Sequence, residues 1–357
     1  MNNFKRLTLI AVTMLLAACA TRQAYFPEVS TSRVVSTSLV AHFINVGQGS
    51  CLIYECPKGG LLLNDCGTVS QGNGLEKDTV IEYINGLVAA HKKAIPKPLS
   101  VVVSHPDRDH YNLIYYTTEN GVGIDKTAVN GVYLGQKLKE GYNSDFVTWT
   151  QGMTVTDFNR PDKKDGFLQC GDASFDVMTV NSNPTPVSNP DSLVLRANYA
   201  NGSIITPGDA TSVTQDKVIA NYKGNFSPTI LAASHHGAES NGSNDVDWAK
   251  AANPKYLVIQ AGEHGTFRHP RCSIIDNYLT NSKALSVAKP HSITCGTTTG
   301  WDTRIINRAI FTNNTNGTIV AKINQDGTVE LSVTSVSGAV TTGIDENSSR
   351  SGLQQQF

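Results

Sequence analysis

The sequence predicts an α/β fold, and three observations predict it. Apolar runs rich in β-branched residues recur along most of the chain, segments with helical spacing separate them, and Gly, Asn and Asp punctuate the joins. The first runs are LVAHFINV (39–46), SCLIYE (50–55) and GLLLND (60–65), each of a length suited to one strand. KDTVIEYINGLVAAHKK (77–93) follows, and its Val80, Ile81, Ile84 and Leu87 share one face, which predicts an amphipathic helix. A fourth strand is expected at LSVVVS (99–104). Further strands are expected at ASFDVMTV (173–180), DSLVLRANY (191–199), GSIITPG (202–208), TILAAS (229–234) and KYLVIQAG (255–262), with helices near 211–222, 245–252 and 272–281. The chain then returns to strands: GTIVAKI (317–323), a turn at NQDG and TVELSVT (328–334) read as a hairpin. No linker divides the block, so residues 38–335 are expected to form one domain, followed by a polar tail over 336–357.

Composition narrows the function classes. The 357 residues are 39% hydrophobic, which is ordinary for a globular chain. Lys and Arg number 29 against 30 Asp and Glu, so the net charge of −1 provides no general attraction to polyanions, and sequence-independent DNA binding through many phosphate contacts is disfavoured. Nucleic-acid or membrane association must then come from a local patch or an anchor, and the N-terminus offers an anchor. Lys5 and Arg6 precede an apolar run from Leu7 to Leu16 that is too short for a comfortable transmembrane helix, and LAAC ends at Cys19. The segment resembles the lipobox of bacterial lipoproteins. It implies a signal peptide over 1–18, lipidation at Cys19, a tether over 19–37, and a lipid-anchored location in the bacterial cell envelope. Ala20, in place of Asp, is similar to the outer-membrane sorting pattern.

With Cys19 set aside, six cysteines remain: Cys51, Cys56, Cys66, Cys170, Cys272 and Cys295. An exported chain with an even number permits disulfides, but the sequence does not choose among the pairings, and Cys66, at a core strand end, reads equally as a buried free thiol. No CxxC spacing occurs, which argues against a structural zinc cluster.

The groups able to carry chemistry follow strands. His105, Asp107, Asp109 and His110 come after one run in SHPDRDH; Asp209 follows another; His235 and His236 follow a third; His269 follows a fourth. Ligands in α/β folds gather at strand ends, so residues far apart in sequence are expected to converge on one site. Imidazoles and carboxylates packed together there are costly to desolvate unless a cation compensates them. His42, His91 and His291 lie outside these segments and read as hydrogen-bonded structural residues.

Seven blocks in order, HFINVGQGSCLIY, LLLNDCG, VVSHPDRDH, PDSLVLR, IITPGDA, ILAASHHG and FRHP, resemble the metallo-β-lactamase-fold domain of ComEC-type DNA-uptake proteins and their stand-alone relatives. The resemblance implies an αββα sandwich with the site at one edge. It also accounts for Asp107 standing where the wider superfamily pattern HxHxDH has its second histidine. Carried over by motif, His105 and Asp107 would hold one divalent metal, Asp109 and His110 a second, with Asp209 bridging and His235 and His269 completing the shells. Zn²⁺ suits these donors, and the carboxylate at Asp107 makes Mn²⁺ admissible. The implied activity is a metal-dependent hydrolase, a phosphodiesterase or nuclease that uses hydroxide held by two metals, with a phosphodiester substrate, DNA included. Asp109 takes part in that chemistry; His236 would orient a carboxylate or protonate the leaving alkoxide, and Ser104 or Asn45 would support a ligand. No obligate protein partner is implied.

The chain departs from the pattern in several places. No histidine lies between His110 and His235, so one metal is expected to be weakly held. HHGA replaces the usual HHGS, Phe267-Arg268 replaces Tyr-Gly before the last His-Pro, and Ser50 stands where an acidic residue is common. His264 is an alternative to His269. NVGQGSC reads as a tight strand connection more than a phosphate cradle, since no helix start follows. Two other function classes stay open: a phosphorylcholine esterase-like or lactonase-like hydrolase, and a non-catalytic binding lipoprotein with a degraded site.

Overall fold

The computed structural model describes residues 36–158, 164–180, 189–224 and 226–334, together with the backbone of 340–345. The expected signal peptide, Cys19 and nearly all of the tether lie outside the described residues. The chain opens with β1 (Leu39–Phe43), β2 (Cys51–Glu55), β3 (Leu61–Cys66), α1 (Lys77–Lys92), β4 (Leu99–Val103) and the single turn α2 (Arg108–Tyr111). Next come β5 (Val129–Leu134), α3 (Leu138–Gly141), α4 (Ser144–Trp149) and β6 (Val155–Asp157). The second half runs β7 (Lys164–Cys170), β8 (Ala173–Thr179), β9 (Val194–Tyr199), β10 (Gly202–Thr206), α5 (Ser212–Tyr222), β11 (Ile230–Ala232), α6 (Val246–Ala252), β12 (Tyr256–Ile259) and α7 (Cys272–Asn281). The remainder is β13 (Val287–Gly296), β14 (Trp301–Arg308), β15 (Ile310–Thr312), α8 (Asn313–Asn316), β16 (Ile319–Ile323), β17 (Val329–Thr334) and β18 (Val340–Asp345).

These strands form a nine-stranded sheet, β18-β17-β16-β1-β2-β3-β4-β5-β6, and a seven-stranded sheet, β15-β12-β11-β10-β9-β8-β7, with β13 and β14 as a separate ribbon. Each central strand is buried on both faces, so both sets of alternating side chains are apolar and the runs are nearly continuous. Leu52 and Tyr54 of β2 and Leu62 of β3 turn inward to meet Phe175, Leu195, Ile204 and Tyr256 of the other sheet. Ile53, Leu61, Leu63 and Val101 turn outward onto Ile81, Ile84 and Leu87 of α1. On the far side, Leu231, Leu257 and Ile259 pack against Val218, Trp248 and Ile275 from α5, α6 and α7. Helices cover both outer faces and the sheets pack face to face, giving the αββα order of the metallo-β-lactamase type.

The sheet extends further than the sequence indicates. β18 pairs antiparallel with β17 inside the segment expected to be a polar tail, so the boundary at 335 falls within the sheet. The segment between Asn112 and Asp172, which carries β5, β6 and β7, and the ribbon β13–β14 show no clean periodicity. Among the described residues no helix is long and apolar enough to cross a membrane.

The six cysteines pair as Cys51–Cys66, Cys56–Cys170 and Cys272–Cys295. Cys66 is thus bonded, which corrects the free-thiol alternative: in the antiparallel β2–β3 register it lies opposite Cys51.

Candidate metal centre

Parallel pairing brings the C-terminal ends of β3 and β4 to the same edge, and does the same for β10, β11 and β12. The loops leaving those ends carry the cluster. β4 runs into Ser104 and His105, and α2 begins at once, with Asp107 in extended conformation as its N-terminal cap. The turn of α2 places Asp109 and His110 side by side. It is propped from behind by a glycine-rich loop: Ser50 N–H donates to Asp109 O at 3.0 Å, and a Cβ on Gly49 would lie 2.1 Å from Gly67 O. NVGQGSC is therefore a close-packed connection, as its lack of a following helix indicated.

Asp209 lies at the middle. Its Oδ1 is 3.0 Å from His110 Nε2 and 3.6 Å from His236 Nε2, while its Oδ2 is 3.8 Å from His105 Nε2 and 3.6 Å from His235 Nε2. Asp107 Oδ2 approaches His105 Nε2 at 3.5 Å, and Asp109 Oδ2 approaches His236 Nε2 at 3.3 Å. Two overlapping groups have ligand atoms mutually within 4.8 Å: His105, His110 and Asp209, and Asp109, His110 and His236. Since one imidazole nitrogen serves one cation, His110 belongs to a single group. The two oxygens of Asp209 then divide the imidazoles: His105 and His235 lie nearest Oδ2, His110 and His236 nearest Oδ1, while Asp107 approaches His105 and Asp109 approaches His236.

Both His235 and His236 adopt left-handed backbone angles, with φ of 50° and 55°, followed by Gly237 at 76°. Such residues cost of order 1–3 kcal/mol each and persist where surrounding structure holds them. A Cβ on Gly237 would stand 2.8 Å from Pro270 Cβ, so the turn is pressed onto the loop bearing His269.

His105 Nε2, His110 Nε2, His236 Nε2 and Asp209 Oδ1 are buried and converge without well-formed hydrogen bonds, the nearest approach among them being the 3.0 Å between His110 Nε2 and Asp209 Oδ1. A buried polar atom left unpaired costs about 1–3 kcal/mol, and divalent ions would engage these converging donors. The residues present therefore fit a metal centre.

Electrostatics agree with the geometry. Burial opposes a charge on His110, but the carboxylates of Asp209 and Asp65 outweigh it and push the imidazole well above its ordinary value. His236 is raised in the same way, against burial, by Asp209 and Asp109. Asp109 falls to about 2, since His236 and His110 overcome the burial that would raise it, and Asp209 falls well below the usual range for like reasons. Burial, followed by the nearby His236 and His235, lowers His269 to about 3.

Three placements differ from the sequence reading. His236, expected to orient a carboxylate or protonate a leaving group, has its Nε2 among the candidate ligand atoms, and its Nδ1 lies 2.9 Å from Gln260 O. His269 belongs to neither ligand group; its ring packs 5.8 Å from that of His235 and 6.5 Å from that of His236. Asn45 holds the glycine loop, accepting from Gly47 N–H at 3.2 Å and donating to Asn73 O at 3.2 Å, and supports no ligand. The alternative His264 is occupied locally, accepting from Thr266 and Phe267 N–H at 3.3 Å.

Asp65, which the sequence reading left without a role, anchors the centre. It accepts from Ser104 N–H at 2.6 Å, from Ser104 Oγ at 2.8 Å, and lies 2.9 Å from His110 Nδ1. Its φ of 55° turns the carboxylate under α2. The signal was present as an aspartate ending the apolar run LLLND. Asn189, next to a segment without pattern, gave none; its Nδ2 lies 3.2 Å from His235 Nε2.

No protein-family model and no curated protein matches the chain. Among solved structures it is similar to unliganded yeast PDE1, at 11% identity and a TM-score of 0.39, covering 68% of this chain and 93% of that one. It is also similar to CmlA, a diiron β-hydroxylase from Streptomyces venezuelae, at 12% identity and a TM-score of 0.37, covering 62% of this chain and 44% of that one. A flavodiiron protein from Giardia intestinalis matches at 14% identity and a TM-score of 0.27, covering 54% and 46%. The chain spans less than half the length of the last two. Scores of this size carry no argument about activity, and the fold rests on its own topology: an αββα sandwich of the metallo-β-lactamase type with a His/Asp cluster at one edge.

Proposed function

We propose that the chain is a metal-dependent phosphodiesterase of the bacterial envelope. The observation that carries the reading is Asp209, whose two carboxylate oxygens face separate pairs of imidazoles, His105 with His235 and His110 with His236. His105, Asp107 and His235 would hold one divalent ion, Asp109, His110 and His236 the other, with Asp209 between; Zn²⁺ suits this donor set and Mn²⁺ is admissible. Two such ions supply water activation and neutralise charge on a phosphoryl group. The chain's own residues provide the positioning. Asp65 and Ser104 fix the tautomer and direction of His110 and His105, and the Gln260 carbonyl does so for His236. His269, held neutral by burial, packs beside both ligand histidines and lines the site without an acidic proton to donate. His235 Nε2 already meets Asn189, so the ion it would share with Asp107 is the weaker bound.

Metal analysis of the purified chain, coupled to a screen of bis(p-nitrophenyl) phosphate, phosphomonoester, phosphorylcholine, lactone and lactam substrates, tests the reading. Two equivalents of metal and selective diester hydrolysis are expected. Lactone turnover alone, or metal-free protein with no turnover, would reject it. The lipobox-like segment supports the envelope location: Cys19→Ser should abolish lipidation and release or stall the precursor, read by fractionation and mass, and normal processing with retained membrane binding would remove the anchor.

A further inference from the structure

On the reading of the cluster as a metal centre, whatever its substrate, we infer that the Cys51–Cys66 disulfide positions that centre, so that the chain gains its full affinity for metal only once this bond has closed. Cys51 opens β2 and Cys66 ends β3, at the edge where the ligands gather. The two face each other in the ladder, but the next pair is Leu52 with Asn64. Asp65 is therefore the extra residue of a bulge, and the disulfide closes the rung beside it. A bulge bends its strand and re-aims a side chain. This one holds Asp65 at a φ of 55° and turns its carboxylate onto Ser104 and His110. A residue with a side chain is strained in that region and persists there only where its surroundings hold it.

The same two backbones seat the turn that carries the ligands. Ser50, just before Cys51, donates its N–H to Asp109 O at 3.0 Å, and Cys66 O accepts from Leu113 N–H at 3.0 Å. Gly67, just after Cys66, passes so close that a Cβ on it would lie 2.5 Å from Arg108 O and 2.6 Å from His110 N. α2 is a single turn of four residues, too short to hold itself, so what it rests on sets the directions of Asp109 and His110. Past the rung, backbone hydrogen bonds from Gly67 to Ser50 and from Val69 to Gln48 continue the pairing through a glycine-rich loop. Without the covalent link the bulge is free to slip, and a slip of one residue takes Asp65 away from His110.

Closing the bond is a thiol–disulfide exchange. The two thiols give up two protons and two electrons to a disulfide-bearing oxidant, which leaves as a dithiol, and the Cys51–Cys66 bond forms. Both cysteines are fully buried, so the exchange belongs to folding, and the closed bond is then shielded from outside thiols. The dithiol chain of a reducing compartment would hold metal weakly, and oxidation would precede loading. The Cys56–Cys170 bond has no such part: Cys56 follows the opposite end of β2, and its partner ends β7.

The test uses the oxidised full chain. Zn²⁺ affinity is read by competition with a chelator, the geometry at the ion by the absorption bands of the Co²⁺ form, and stability by denaturant titration of the metal-free chain. Cys51→Ala with Cys66→Ala should fold, bind Zn²⁺ about ten- to hundredfold more weakly and shift the Co²⁺ bands. Cys56→Ala with Cys170→Ala should be destabilised yet bind Zn²⁺ as wild type does. Adding Asp65→Asn to the first pair should cost little more than either change alone, because both act through one carboxylate. Wild-type affinity in the first pair, an equal loss in both pairs, or a loss that adds in full to that of Asp65→Asn overturns the inference and leaves the centre standing. An oxidised wild type that binds no Zn²⁺ rejects the centre and the inference with it. If the alanine pair does not fold, Cys51→Val with Cys66→Val, apolar and suited to a strand, takes its place in every measurement. A valine pair that also fails to fold makes the bond a requirement of the fold and overturns the inference.

Discussion

Asp107 is the residue on which the proposed ligand set turns. Its Oδ2 lies 3.5 Å from His105 Nε2, on the side of the cluster where His235 is shared with Asn189. An anionic oxygen is a harder donor than imidazole, so this half of the centre should tolerate Mn²⁺ better than an imidazole-richer one. Asp107→His should keep a metal while raising the preference for Zn²⁺ over Mn²⁺, and Asp107→Ala should lose one equivalent and most turnover. Metal stoichiometry and bis(p-nitrophenyl) phosphate hydrolysis with each ion check both, and an Asp107→Ala variant with full metal and wild-type turnover would reduce Asp107 to a surface carboxylate. Asp65 acts through others. Asp65→Asn tolerates the left-handed backbone but cannot receive both Ser104 groups and His110 Nδ1 as a carboxylate does, so metal affinity should fall about ten- to hundredfold with the folded state retained. Competition with a chelator reads this, and an unchanged affinity would make Asp65 a bystander.

At the scale of elements, one buried network joins β1, β2 and α1 away from the metal centre. Glu55 of β2 lies 2.9 Å from His42 Nε2 of β1 and 3.1 Å from His91 Nε2 of α1, and Tyr83 OH meets His42 Nδ1 at 2.6 Å. Burial would raise the Glu55 carboxyl, but its hydrogen bonds to His42 and His91 outweigh this and hold it well below the usual range. The sign follows from linkage. With the folded value depressed, the unfolded chain takes up the proton first, so this stability is fully present above the ordinary carboxylate value and is lost as pH falls below it. Glu55→Gln should cost about 1–3 kcal/mol near neutral pH and flatten the loss of stability on acidification. Denaturant titrations across that range measure it, and parallel pH profiles for the two proteins would exclude the network as a source of acid sensitivity.

At the scale of the molecule, the two sheets are joined by packing and by one covalent link. Cys56, just after β2, bonds Cys170 of β7 across a sequence separation of 114 residues. A loop of that length is worth about 2–5 kcal/mol when closed, mainly by restricting the unfolded chain. Replacing both with Ala should lower the unfolding free energy by about that amount, read as a lower denaturant midpoint under oxidising conditions. An unchanged midpoint would mean that the inner core of Tyr54, Phe175, Leu195 and Tyr256 alone holds the sheets in register.

The sequence by itself determined the α/β class, the strands from 39 to 104 and from 173 to 262, the helices at 77, 211, 245 and 272, and the strand ends where ligands would gather. Hydrophobic patterning is a local property, and two-sided burial of the central strands made their apolar runs long and continuous. Histidine and aspartate clusters after strands were likewise legible because the chemistry needs those residue types wherever the fold places them. Tertiary structure alone decided what depends on which strands become neighbours. β10, β11 and β12 lie side by side in parallel, which sets Asp209 opposite His235 and His236 and leaves His269 beside them. The pairing of Cys51 with Cys66 follows from the β2–β3 register, and the part played by Asp65 follows from the loop crossing beneath α2. β6 and the ribbon lie at or beyond the sheet edges with much of their surface exposed, and β18 is defined by its backbone pairing with β17, so all three emerged only once their partners were in place.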